Sequence, residues 1–389
     1  MNEYDIIVIG GGILGIAHAY HCLQAGMKVA LIERDAYPNG ATIRNFGQVV
    51  PSGMDRKWQL YGRESLKVYK EIQSKTDISV REEGSIYLAS NDEELQLLEE
   101  LASINRDNGY RSVLWTKQKC LDRYPGLKEG YVKAGLFFPE EVKVDPRVAA
   151  KRIIQYCVSQ LGLTYISRRA IIDITTLSGR QILTDNLGQT YRCKKTFLCA
   201  GTEFQLLFPE IFSQSDLVSV KLQMMETVPQ RQQIIPGSVL SGWTIRRYES
   251  FHECPSFAAI KAREDKAAYH LKYGIHILFK QSPNGGVIIG DSHEYATVRD
   301  GETFSLGTDN EINCFILSQA QRIFQLEDWQ ISRTWIGQYS QCHGQDIFNE
   351  TIENDIHIVT GIGGKGMTGS LGYAKENVRN LLSLNLETF

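Results

Sequence analysis

The first 33 residues constrain this chain more than any other stretch. Tyr4-Asp5-Ile6-Ile7-Val8-Ile9 is a short apolar run, Gly10-Gly11-Gly12-Ile13-Leu14-Gly15 a glycine turn, Ile16 to Gln24 an amphipathic segment, and Met27-Lys28-Val29-Ala30-Leu31-Ile32-Glu33 a second apolar run. Buried strand, tight turn, crossover helix and second buried strand follow one another as in a nucleotide-binding βαβ unit. Gly10, Gly12 and Gly15 have the G-x-G-x-x-G spacing: Gly10 permits the turn, Gly12 lets a pyrophosphate approach the backbone, and Gly15 lets the helix pack close to the strand. The helix N-terminus that follows offers N–H groups and a partial positive charge to phosphates. Glu33, at the end of the second strand, is placed to accept hydrogen bonds from ribose hydroxyls and would repel a 2′-phosphate, which disfavours NADP. FAD and NAD both remain open on these residues.

Composition narrows the partners. At 389 residues the chain is long for one compact unit, and two domains are expected. The 42 basic and 45 acidic side chains are mixed along the sequence and leave a net charge of −3, which argues against nucleic acid as the main partner. The first strand begins at Tyr4 and no apolar run approaches a membrane span, so a cytoplasmic location is expected. The eight cysteines are scattered without a C-x-x-C pair and read as reduced packing residues. Cys342-His343 and His252-Glu253-Cys254 lack a second ligand pair at zinc spacing, so no metal site is expected.

Beyond Glu33, the loop containing Arg34, Thr42, Arg44 and Asn45 leaves the second strand beside the bound nucleotide, with Arg44 and Asn45 placed to face its ring system. Helices are expected over Asp55 to Lys75, over Glu93 to Asn105 with Asn91 as N-cap, after Asp145-Pro146, over Thr308 to Phe324 and from Ser370 to Leu384. Between Leu163 and Thr202 the pattern is short strands: Thr164 to Ser167, Ala170 to Thr175, Gln181 to Thr184, Gln189 to Cys193 and Lys195 to Thr202. The last ends in Ala200-Gly201, where the chain can pass close to a nucleotide without a side chain in the way. Ser282-Pro283-Asn284-Gly285-Gly286 is a hairpin turn between Ile275 to Lys280 and Val287 to Ile289, and Trp329 to Ile336 is a strand. Ile356 to Thr360 leads into Gly361-Ile362-Gly363-Gly364-Lys365-Gly366-Met367-Thr368-Gly369, a second backbone surface ahead of a helix.

Taken together, these segments resemble the D-amino acid oxidase family of flavoproteins, which includes glycine and sarcosine oxidases. Besides the two glycine runs, the resemblance rests on Glu83 to Ala89, Val144-Asp145-Pro146, Leu198-Cys199-Ala200-Gly201, Ile288-Ile289-Gly290-Asp291 and Trp335-Ile336-Gly337. It implies FAD, and an α/β architecture: a Rossmann-like FAD-binding domain plus an α+β substrate domain with a large, mostly antiparallel sheet. The segments 1–85, 140–217 and 330–389 are assigned to the first domain, and 86–139 and 218–329 to the second. The implied cofactor contacts are Gly10, Gly12, Ile13, Leu14, Gly15, Glu33, Arg34, Thr42, Arg44, Asn45, Phe46, Gly47, Ile172, Ala200, Gly201, Gly337, Gly363, Gly364, Lys365, Gly366, Met367 and Thr368.

Departures from the family pattern carry information about substrate. Tyr339 stands where amino-acid-oxidising members have an arginine for the substrate carboxylate, and Thr368 where sarcosine oxidases use a lysine. Gly337 aligns with the cysteine that attaches flavin covalently in sarcosine oxidases, so non-covalent FAD is expected. Arg44-Asn45-Phe46-Gly47, Gly290 to Tyr295 and Trp335 to Tyr339 resemble more narrowly the branch associated with phosphonate breakdown. That likeness implies oxidation of a small amine by hydride transfer and imine hydrolysis, the substrate being an aminophosphonate or its N-alkyl derivative. Arg44, His293, Tyr339 and Lys365 are the expected catalytic set, with Lys221, Arg246, Arg247, Lys261 and Lys280 as further cations for an anionic substrate. Oxygen or another electron acceptor completes the reaction. The alternatives are an amino-acid or sarcosine-type oxidase, a dehydrogenase of a hydroxy acid or glycerol phosphate using a non-oxygen acceptor, and a structural or sensory flavin-bound module.

Overall fold

A computed structural model describes residues 3–298 and 304–382. Among these residues the chain forms two large sheets. The eight-stranded first sheet runs Phe348–Ile352, Ile356–Thr360, Thr190–Leu198, Glu3–Ile9, Val29–Glu33, Thr164–Ser167, with Arg180–Asp185 and Ile171–Leu177 added as an antiparallel meander. Its central pairs are parallel, with Val8 opposite both Leu31 and Phe197, and Leu198 opposite Ile358. Ile9, Leu198 and Thr360 therefore finish at one edge, and each is followed at once by a glycine-bearing turn. The carboxyl edge of a parallel sheet is where such folds bind ligands.

Strand sequences match this position. Val29–Glu33 and the central part of Glu3–Ile9 are continuous apolar runs because helices or strands cover both faces. Ile13–Gln24 packs on Gly366–Leu381 and Pro146–Leu161, and Gly366–Leu381 packs on Arg56–Lys75. The last contact is close because it is built on glycine. A Cβ on Gly372 would overlap the Tyr61 backbone, and one on Gly369 would press on the Trp58 ring. Asp55, Asn91, Asp145 and Asp309 each accept a hydrogen bond from the first turn of their helix, as N-caps do.

The nine-stranded second sheet is antiparallel apart from one parallel pair, Ser238–Leu240 with Ser85–Ala89. Its backbone is the long pair Leu217–Thr227 and Ile331–Cys342, joined by the hairpin Leu278–Gln281 with Val287–Gly290. The fold is thus the mixed α/β arrangement expected of glycine oxidase-like proteins. Several boundaries differ from the sequence expectation. Gln189 to Cys193 and Lys195 to Thr202 form one strand, Thr190–Leu198, since Lys194 alternates outward without breaking the ladder. The strand expected to stop at Ile336 runs on to Cys342, because Leu217–Thr227 offers it a partner along that whole length. This strand belongs to the second sheet although it lies beyond the expected boundary at 330. The final helix begins at Gly366 rather than Ser370, and its expected end at Leu384 lies outside the described residues. No helix among the described residues is long and apolar enough to cross a membrane.

Candidate functional site

Both glycine-bearing turns open into a cavity of about 930 Å³ lined from both sheets. At one end stand Glu33, Arg34, Asp35 and Ile171; at the other stand Arg247, Tyr248, His276, Asp291, His293 and Tyr339. Between them run Gly10, Gly12, Ile13 and Leu14, the loop Arg44 to Gly47, Ala200-Gly201, Gly337 and Gly363 to Thr368.

The backbone here is shaped for a flat, polyanionic ligand. Gly10 has φ +99° and lies so near Cys199 that a side chain would overlap its carbonyl oxygen. Gly12 caps the helix Ile13–Gln24 without a side-chain hydrogen bond. Thr42 Oγ1 accepts from Ile13 N at 2.9 Å and so ties the loop to the helix start. Glu33, 6 % exposed, accepts from Gly11 N at 2.7 Å and Asp35 N at 3.0 Å, one on each oxygen. A carboxylate has about four lone-pair sites, so acceptor capacity is left for ribose hydroxyls. A Cβ on Gly201 would meet nothing within 4 Å, and one on Gly364 only the Tyr339 hydroxyl at 3.9 Å. Bare backbone faces open space at both positions. This is a cradle that fits the dinucleotide and ring system of FAD.

Two expected cofactor contacts fall elsewhere. Ile172 is 47 % exposed and is not on the cavity wall; Ile171, buried, lines it instead. Period-two alternation in the strand Ile171–Leu177 puts neighbouring side chains on opposite faces, and two adjacent isoleucines carry no local signal to choose between them. Gly15 also lies off the cavity wall: a Cβ there would overlap the Gly10 carbonyl oxygen, so its role is the close packing of helix on turn. The other expected cofactor positions, Gly10, Gly12, Ile13, Leu14, Glu33, Arg34, Thr42, Arg44, Asn45, Phe46, Gly47, Ala200, Gly201, Gly337, Gly363, Gly364, Lys365, Gly366, Met367 and Thr368, all line the cavity.

The loop beneath Gly337 is tightly wired. Asn45 Nδ2 donates to the carbonyls of Ala41 and Thr42, and its Oδ1 accepts from Gly47 N at 2.7 Å. Arg44 Nε donates to Asn39 O at 3.0 Å, and Nη1 reaches Ile336 O at 3.5 Å. Its guanidinium is largely used to hold the loop. Lys365 Nζ lies 2.9 Å from Glu249 Oε1 and 3.7 Å from Asp346 Oδ1, which offset most of its charge.

The far end holds groups that are distant in sequence. His276 and Asp291 exchange backbone hydrogen bonds, His276 N to Asp291 O at 3.2 Å and Asp291 N to His276 O at 2.9 Å. They extend the hairpin Leu278–Gln281 with Val287–Gly290. Counting back along the hairpin from its turn sets Ile277 opposite Asp291, so a one-residue shift in register past Leu278 makes the pair and hides it from the sequence. His276 Nδ1 lies 3.1 Å from Thr244 Oγ1, and its Nε2 lies 2.8 Å from Asp291 Oδ1. Burial would raise the Asp291 carboxyl, but facing His276, His293 and Arg247 hold it below the usual carboxylate range. His293, with Nδ1 3.1 Å from Gly274 O, is pushed down to about 3 by burial and by Arg247. Its imidazole is therefore neutral. Burial likewise raises the Tyr339 hydroxyl, which stays protonated.

Of the expected cations, Arg44 and Arg247 line the cavity. Lys221 faces Glu294, Arg246 pairs with Glu93 and Glu94, Lys261 with Glu264, and buried Lys280 donates to Val144 O at 2.8 Å.

A family model described as FAD dependent oxidoreductase, DAO, matches residues 5–378. The chain belongs to this family. The FAD-dependent oxidoreductase is 23 % identical over 351 residues to an opine oxidase subunit of Rhizobium meliloti, covering 87 % of this chain and 82 % of that one. It is 23 % identical over 325 residues to glycerol 3-phosphate dehydrogenase of Caloramator mitchellensis, covering 82 % of this chain but only 61 % of the relative. In fold it is similar to L-proline dehydrogenase from P. horikoshii, with TM-score 0.79, 20 % identity, and coverage of 98 % of this chain and 94 % of the other.

Proposed function

We propose that this FAD-dependent oxidoreductase oxidises a small primary or secondary amine carrying an anionic group other than carboxylate, the aminophosphonates and their N-alkyl derivatives being the class favoured. Arg247 carries the reading: it is a cation at the end of the cavity remote from Glu33, among the hydroxyls of Tyr248, Tyr295 and Tyr339 and two histidines. A tetrahedral anion takes several donors at once, and hydroxyls beside a guanidinium suit it. Tyr339 occupies the position where a carboxylate-gripping arginine is usual in amino-acid-oxidising members, which directs the anion towards Arg247 instead.

Gly10, Gly12, Thr42, Glu33, Gly201 and Gly363 to Thr368 would hold FAD, without covalent attachment at Gly337. FAD supplies the two-electron acceptor of the reaction. The chain's part is orientation and exclusion. Arg247 fixes the anionic end of the substrate, Tyr339 closes the cavity over Gly364, and the buried wall of Leu222, Leu278 and Phe46 keeps bulk water from the reacting carbon. The released imine meets water on leaving and gives a carbonyl compound and the free amine or ammonia.

Anaerobic addition of 2-aminoethylphosphonate, its N-methyl form, glycine, sarcosine and D-alanine to the purified holoenzyme tests this, read by bleaching of the visible flavin absorbance. Bleaching by the aminophosphonates supports the reading; bleaching by glycine or sarcosine alone overturns it. The likeness to a glycerol 3-phosphate dehydrogenase favours a second reading, oxidation of a phosphate-bearing alcohol at the same cation. Bleaching by glycerol 3-phosphate, with no response to amines, would select it.

A further inference from the structure

We propose that Asp291 is the site that recognises the substrate ammonium and passes its proton to His276 behind it, so that the substrate lies with nitrogen on Asp291 and its anion on Arg247. This rests on the amine reading above. The Asp291 side chain is nine-tenths buried and lines the cavity. His276 Nε2 approaches Oδ1 to 2.8 Å, yet that oxygen accepts no aligned hydrogen bond. A buried carboxylate oxygen without a donor is costly, and a bound ammonium supplies the missing N–H. Among the other acids on the cavity wall, Glu249 Oε2 also lacks a donor, but Glu249 Oε1 and Asp346 face Lys365, Glu203 pairs with Arg34, and Glu33 holds two backbone N–H groups, with Asp35 beside it at the far end from Arg247.

Opposite charge lies close by. A Cβ on Gly274 would sit 3.1 Å from Arg247 Nη1 and 2.9 Å from His293 Cβ. Glycine at this position therefore lets the guanidinium and the imidazole converge. Arg247 Nη2 is steadied by the Tyr295 hydroxyl at 3.1 Å. A bipolar ligand can bind one way round only, because reversal would set ammonium against guanidinium.

The proton transfer follows from the same contacts. Asp291 takes the ammonium by a charge-assisted hydrogen bond. An N–H bond of the substrate breaks, the proton passes across Asp291 Oδ1 to form a bond with His276 Nε2, 2.8 Å behind it, and the electron pair stays on the substrate nitrogen. This step uses the tautomer with the proton on Nδ1, which faces Thr244 Oγ1 at 3.1 Å, and the resulting imidazolium is balanced by Asp291. The groups facing His276 are Asp291, His293 and Tyr248, the last two with ring centroids at 5.6 Å, together with Thr244 and Arg247.

The test compares two ligands that differ only by an ammonium and lack a hydrogen on the reacting carbon: (2-amino-2-methylpropyl)phosphonate and (2,2-dimethylpropyl)phosphonate. Binding to the holoenzyme is followed by perturbation of the flavin spectrum. The amine should bind at least about tenfold more tightly, the size expected of a charged hydrogen bond. In Asp291→Asn that preference should fall below about threefold, with the affinity of the amine-free phosphonate unchanged. Preference retained in the variant overturns the proposal. Calorimetry of the wild type in two buffers of different ionisation enthalpy gives an answer independent of the variant's folding. Binding of the amine should release no proton to solvent, since the proton stays on the dyad; release of one proton per ligand overturns it. The matching carboxylates, 3-amino-3-methylbutanoate and 3,3-dimethylbutanoate, separate the two readings. An Asp291-dependent preference seen only with them supports Asp291 while the phosphonate reading fails, and preference with neither pair overturns Asp291 as the amine site.

Discussion

Arg247 reaches from the chain just after the short helix Gly242–Ile245 to the hydroxyl of Tyr295, 3.1 Å away, a residue half exposed on the second sheet. The guanidinium is thereby held at one end of the cavity and not spread over solvent. Replacing it should remove anion recognition and leave the glycine turns untouched. Arg247→Met is expected to raise KM for an anionic amine by about ten- to a hundredfold, with a smaller change in kcat and full flavin content, as suits the loss of one charge-assisted contact. Tyr295→Phe removes only the steadying hydroxyl and should change KM by less than about fivefold. Steady-state kinetics of the two variants check this ordering, and equal effects would mean that Arg247 acts through the fold.

Two glycines in the cofactor cradle should fail in different ways. Gly15 sits where a Cβ would overlap the Gly10 carbonyl, so Gly15→Ala must push the first helix off the first strand. Overpacking of this kind costs typically about 1–3 kcal/mol. Gly364 faces the cavity, and the first atom its Cβ would meet is the Tyr339 hydroxyl at 3.9 Å. Gly364→Ala should fold normally and lose flavin affinity by about tenfold or more, as seen in the flavin-to-protein ratio after dialysis. Thermal midpoints of the flavin-free proteins separate the cases: only Gly15→Ala should fall.

The parts of this structure legible in the sequence are those fixed by local signals. The βαβ unit, the caps Asn91 and Asp145, and the hairpin at Ser282 to Gly286 each follow from a few adjacent residues, and all are present. What escaped depends on contacts distant in sequence. Ile171 and Ile172 are equivalent until the meander chooses a face. Arg247 is one cation among several until ion pairs remove Lys221, Arg246 and Lys261 from the cavity. Gly369 reads as part of a ligand-binding run, whereas the Trp58 ring makes it a packing residue. Asp291 does not stand out beside His293 in the sequence, because its meaning lies in the facing strand.

Acid should loosen the helix that begins the cofactor cradle. His18 is held neutral between Leu14 O, 2.7 Å from Nδ1, and Asn377 Nδ2, 3.0 Å from Nε2. His21 Nε2 donates to Leu371 O at 2.8 Å, and His357 Nδ1 lies 3.0 Å from Thr351 Oγ1. Burial pushes all three down to about 4 from an ordinary 6.5. Between those values the unfolded chain binds protons that the folded chain does not, so stability falls as pH falls through 6.5 and goes on falling to about 4. Each fully buried imidazole contributes on the order of 3 kcal/mol across that window, from about 1.4 kcal/mol per pKa unit. His18 and His21 both lie on Ile13–Gln24 and bond within it or to Gly366–Leu381, so their protonation separates the two helices whose first turns line the cavity. Flavin release on acidification should therefore track the loss of stability. Urea midpoints of the holoenzyme measured from pH 7.5 down to about 5 should fall steadily, with a slope reduced by about one proton in His18→Gln. A flat profile, or the same slope in that variant, would show that these histidines take up protons without opening the helix pair.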